Sequence, residues 1–245
     1  MSRSPAPAPA SSVDPVMAFP FVGGRPCLNF VATLGKRRTE RIERLPDPDA
    51  LARWIIEAGL RADPQDADAG AGDLPEELED VRPGGPLIGS GDAGQTAAGH
   101  MHATGEDLTA ARALREALHR VLFSAMGGHV PDPADVAQVN KTAARADLAP
   151  QLTLGGAGGL TALNWRAAQP VQAALATVAR DAVLLVGGPL LARVKECENP
   201  ECTLLFLDDS QARRRRWCSM ERCGNLVKIA GYRSRMRGGG SRPVA

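Results

Sequence analysis

Four of the five cysteines fall in the last fifth of the chain as two matched pairs, CENPEC (Cys197, Cys202) and CSMERC (Cys218, Cys223), spaced C-x4-C-x15-C-x4-C. No other feature narrows the choice of fold as much. The N-terminal stretch MSRSPAPAPASSVD lacks the apolar core of a secretory signal, so the expected address is the cytoplasm, where thiols stay reduced or bind metal. Two short loops holding two thiolates each can set four sulfurs ~2.3 Å from one zinc ion. Four thiolates fill the tetrahedron and leave no place for a reactive water, so the expected cofactor is one structural Zn2+. The competing reading is four incidental thiols. Equal spacing in the two pairs and the Asn199-Pro200 turn in the first favour the metal. Cys27 has no nearby partner and sits among Pro26, Leu28 and Phe30, which suits a core thiol.

Charge is distributed as unevenly as cysteine. The formal net charge is +1, yet residues 210–245 carry ten basic groups against one acid, Glu221, while the other 209 residues carry 19 basic and 27 acidic groups. One end is therefore suited to a polyanion and the rest is not. Arginine outnumbers lysine 25 to 4, a bias that weakens any argument from a single arginine.

Apolar periodicity and turn residues divide the remainder. Residues 1–17, rich in Pro, Ala and Ser, read as a disordered tail, and residues 18–191 as a helical domain. Within it FPFVGGRPCLNFVATL suits a short strand or two leading into a helix or turn. Asp47, Pro48 and Gly59 bracket a helix with Leu51, Trp54, Ile55 and Ala58 on one face. Residues 61–103 carry many acids and glycines and read as a flexible acidic insertion. From Thr104, the stripe Ala111, Leu114, Leu118, Val121 and Leu122 predicts a second helix. Asp132-Pro133 opens a third helix, carrying Val136, Val139 and Ala143. QLTLGGAGGLTALNW predicts a hairpin, and Pro170 to Val186 an apolar helix stopped by Gly187-Gly188-Pro189. The predicted fold class is α+β, mainly α, with a small β-hairpin and a C-terminal finger of treble-clef or zinc-ribbon type at 192–237. A flexible tail follows at 238–245.

Inside the finger, Leu204 to Leu207 reads as a strand, Asp208-Asp209-Ser210 as a turn, and Arg213 to Trp217 as the return strand of a hairpin. Alternation in that strand would place Arg213 and Arg215 on one face and Arg214 and Arg216 on the other. After Cys223 a helix is expected. At about 100° per residue, Leu226, Val227 and Ala230 face the metal side, while Asn225, Lys228, Tyr232 and Arg235 gather opposite. Arg213, Arg214, Arg215, Arg216, Arg222 and Arg233 suit phosphate contacts; Asn225, Lys228, Tyr232 and Arg235 suit base edges. The bland alternative for the arginine run is a solvated charged face.

KECENPECTLLFLDDSQARRRRWCSMERCGN resembles the CGNR-type zinc finger, and FVGGRPCLNFVATL, ERLPDPDALARWIIEAGL and DLTAARALREALHRVL resemble the ABATE domain that precedes it. The resemblance implies a stress-responsive transcription regulator that binds DNA through the finger. By that match Cys197, Cys202, Cys218 and Cys223 are the zinc ligands, and Gly224 and Asn225 fill the middle of the signature. Leu226 stands where the family has arginine.

The functional expectation is a zinc-dependent regulator whose finger binds double-stranded DNA, whose N-terminal domain senses a small-molecule effector or mediates assembly, for instance as a homodimer, and which has no membrane partner. The alternatives are an RNA-binding protein, or a protein-interaction module in which the finger is only structural. His100-Met101-His102 lacks an obvious third ligand, GGAGG at 155–159 lacks the context of a phosphate loop, and neither GxSxG nor HExxH occurs. No enzymatic activity is expected.

Overall fold

The protein is described here from a computed structural model that covers residues 17–62, 101–154 and 160–229; side chains of 153–164 are not described. The expected tails, nearly all of the acidic insertion, His100 and the glycine turn at 155–159 lie outside the described residues.

Each long helix begins at a residue whose chemistry starts helices. Pro26 opens the short helix α1 (Pro26–Val31). Asp47 accepts the Ala50 amide at 2.7 Å to cap α2 (Pro48–Glu57), with Pro48 in the first turn. Thr104 and Asp107 form a reciprocal capping box on α3 (Gly105–Met126). Asp132 caps α4 (Pro133–Ala143), and α5 (Pro170–Val186) stops at Gly187. The region after Phe19 contains a helix before its strands: β1 (Leu34–Gly35) and β2 (Ile42–Glu43) pair antiparallel only after α1. The predicted hairpin is present as β3 (Ala149–Leu154) and β4 (Leu160–Arg166).

Helix α5 is the central element. It packs against α1, α2, α3 and α4, and most of its surface is buried, from Val171 to Leu185. Phe30 and Trp54, both fully buried, meet at 4.9 Å between ring centroids beside it. The expected stripe on α3 is buried as read. Cys27 is buried as well, and its thiol is held well above its usual range by that burial and by Asp181, whose carboxylate accepts the Cys27 amide. Among the described residues no helix is long and apolar enough to cross a membrane.

The last strand pair joins the finger to this core. β5 (Val194–Glu196) runs antiparallel to β6 (Leu205–Leu207), with Val194 and Leu205 buried in the same cluster as the helices. The Leu207 amide donates to the Gly23 carbonyl at 2.8 Å, and Arg38 pairs with Glu196 at 2.8 Å. A partly buried network continues inward: the Arg37 amide donates to Thr203 Oγ1, its guanidinium pairs with Glu116, and Arg115 of α3 holds Glu43 by two bonds of 2.7 Å.

Candidate metal centre and nucleic-acid surface

The strand pair differs from the predicted one, and hydrogen bonding explains why. Strand β6 takes its partner from upstream, so that β5 and β6 flank the first cysteine pair, whereas residues 213–217 form no strand. Asp208 is fully buried and accepts Lys195 Nζ at 2.6 Å, Ser210 Oγ at 2.5 Å and the Arg215 amide at 3.0 Å. Lys195 also donates to the Arg213 carbonyl at 2.7 Å. This clasp bends the chain after β6, and Arg213 takes a left-handed backbone conformation (φ 50°) that no regular strand allows. The lysine holds the Asp208 carboxyl below the usual carboxylate range.

Both cysteine loops are fixed by local bonds. In the first, the Cys202 amide donates to the Asn199 carbonyl and the Cys197 amide to the Leu204 carbonyl, each at 2.9 Å. In the second, Ser219 Oγ accepts the Arg222 amide, and a π-helical turn, Met220–Gly224, carries Cys223 inward before the chain continues as α-helix over 225–229. Gly224 is buried under Met220 and Trp217; a Cβ there would lie 2.5 Å from Met220 Sδ.

All four sulfurs lie within 4.8 Å of one another. Cys202 and Cys218 are 3.6 Å apart and Cys218 and Cys223 are 3.7 Å apart, against the edge of about 3.8 Å that Zn–S bonds of ~2.3 Å give a regular tetrahedron. Crowding sets the thiols against one another. Cys197 accepts from Cys202 and Cys218 and is held far below the thiol range, while those two donors are pushed above it. A dication at the centre removes that conflict by letting all four ionise. An all-sulfur, closed, tetrahedral donor set fits zinc in a structural role.

The chain matches the ABATE family, described as "Putative stress-induced transcription regulator", over residues 24–189. It belongs to the ABATE family. The CGNR zinc finger matches residues 193–236, so the four cysteines form one structural zinc site of that finger. A comparison with curated proteins finds no match.

The arginine run of this ABATE protein does not alternate as a strand would. Arg213 and Arg214 are exposed, without a carboxylate partner among the described residues. Arg215 folds inward, its guanidinium 4.6 Å from the Phe206 ring centroid and donating to the carbonyls of Trp217 and Cys218. Arg216 pairs with Glu198 at 2.6 Å and lies over the Trp217 ring. Asn225 and Lys228 are exposed, as the wheel expects, and Val227 is partly buried. Leu226 is not on the core side: it is 59% exposed, because the π-helical turn, whose Gly224 amide reaches back five residues to Ser219, slips the phase of a 100° wheel. Tyr232, Arg233 and Arg235, and Ala230 of the apolar face, lie outside the described residues.

Two cations that sequence reasoning passed over stand beside the centre. Arg44, 4% exposed, and Lys36 reach it from the β1–β2 hairpin and share a cleft with Arg222, Cys202 and Cys223. Burial and the charge of Arg222 pull the Arg44 pKa down, and the neighbouring Cys202 opposes them. The signal available in the sequence was the basic cluster Lys36, Arg37, Arg38, Arg41 and Arg44, which lies far from the finger along the chain.

Proposed function

We propose that this protein is a DNA-binding regulator that holds duplex DNA with its zinc finger and has no enzymatic activity. The observation that carries the reading is the exposure of Arg213 and Arg214, with Lys228 and Asn225, on a scaffold fixed by metal and by the Asp208 clasp. Uncompensated cations on a rigid loop neutralise phosphates at low conformational cost, and an exposed amide beside them can read a base edge. The family description supports a role in transcription. The helical domain then serves as the input, as a receptor for a small-molecule effector or as a site of homodimer assembly.

The test is duplex affinity against salt. Each phosphate neutralised contributes about −0.9 to the slope of log K against log salt, so Arg213→Ala/Arg214→Ala should flatten the slope by about 2 for every duplex tested. Asn225→Ala should mainly relax sequence preference. A duplex affinity that ignores both the double substitution and salt would favour the protein-interaction reading, and tighter binding of structured RNA in competition would favour RNA.

A further inference from the structure

The four sulfurs of the metal centre are unequally placed. Cys197, Cys218 and Cys223 are 5%, 0% and 4% exposed, whereas Cys202 is partly exposed. Cys202 and the more deeply buried Cys223 line a cleft of about 490 Å³ between the finger and the β1–β2 hairpin. Volumes of that size accommodate small molecules. Its lining is mixed in charge: Lys36, Arg44 and Arg222 stand with Glu40, Glu201 and Glu221, the three acids exposed and Glu40 paired with Lys36 at 3.0 Å. Gly35 makes room for one of these cations, since a Cβ there would stand 2.5 Å from Arg44 Nη1.

Coordination keeps a cysteine sulfur deprotonated, and the thiolate is the nucleophilic form. Among four metal-held thiolates, access decides which reacts. We propose that Cys202 is an electrophile-reactive site, the first thiolate modified by a small uncharged Michael acceptor that enters the cleft, and that its modification dismantles the metal centre. The Cys202 sulfur forms an S–C bond to the β-carbon of the activated alkene. The C=C π pair shifts to give an enolate, and water protonates the α-carbon; nothing is oxidised and no group leaves. The product is an uncharged thioether, so the centre loses one of its four anionic ligands. This inference rests on the zinc site alone and is independent of the nucleic-acid reading.

The experiment treats the zinc-loaded full chain with one equivalent of N-ethylmaleimide, maps the adduct by peptide mass spectrometry and follows released zinc with a chelating dye. The first adduct should fall on Cys202, at least about tenfold faster than on any other cysteine, with one zinc released per adduct. Leu226→Trp narrows the cleft from a position outside the ligand set, and should slow the adduct several-fold while zinc content stays unchanged. A first adduct on Cys197, Cys218, Cys223 or Cys27 overturns the proposal, and so does an adduct on Cys202 with zinc retained. An unslowed rate in Leu226→Trp overturns the cleft as the route.

Discussion

Arg215 turns inward because Phe206 offers it a ring face and Trp217 and Cys218 offer it carbonyls, while Arg213 and Arg214, two and one residues earlier, are exposed with no carboxylate partner among the described residues. Identical side chains in one run therefore divide between holding the finger and presenting charge. Replacing Arg215 by alanine removes charge-assisted bonds to two carbonyls and a cation–π contact, a loss of about 2 kcal/mol from the fold of the finger. Arg215→Ala should thus hasten zinc loss to a competing chelator, whereas Arg213→Ala/Arg214→Ala should leave the rate unchanged; dye-monitored competition separates them. Equal zinc loss in both variants would mean that the run acts only through its summed charge. The sequence shows four arginines and cannot show this division, because it depends on where Phe206 and two carbonyls come to lie.

Helix starts were the most legible elements, since the capping side chain sits within a few residues of the amides it satisfies. Asp47-Pro48, Thr104 and Asp132-Pro133 all stand where the sequence places helix entrances, and the structure adds Asp107 as the partner of Thr104. Thr104→Ala breaks one half of the α3 capping box and should lower stability by about 1 kcal/mol, read as a shifted denaturant midpoint with unchanged slope. Elements decided by distant partners were misread. Residues 204–207 form an apolar run that announces a short strand, yet the choice of partner between 194–196 and 213–217 goes with the Asp208–Lys195 clasp. A π-helical turn is invisible to a fixed-period wheel, and this one moved Leu226 out of the core side. The cysteine ligands were legible from their spacing, and the fold brings their four sulfurs within 4.8 Å of one another.

At the scale of the whole molecule, the boundary expected near residue 191 is crossed by packing. Val194 and Leu205 are buried with the helices, Ala32 is buried with Cys197, Cys218 and Cys223, and Arg37 and Arg38 bond Thr203 and Glu196. Such a finger closes part of the helical core, so metal binding should stabilise helices that touch no metal. If chelation loosens β5 and β6 enough to expose Val194 and Leu205, the lost burial is on the order of 2 kcal/mol or more. In a chain of this size that corresponds to about 4–8 °C in the midpoint of helical unfolding. Far-UV circular dichroism of the full chain with and without chelator measures it. The Cys218→Ser/Cys223→Ser variant should match the chelated protein and gain nothing from added zinc. A helical midpoint unmoved by chelator, with zinc verifiably removed, would mean that the helices and finger fold as independent units despite their shared contacts. A shifted midpoint has a functional corollary. The same contacts that carry stability from metal to helices must carry any effect of an effector or second subunit on the helices back to the finger, by the same free energy.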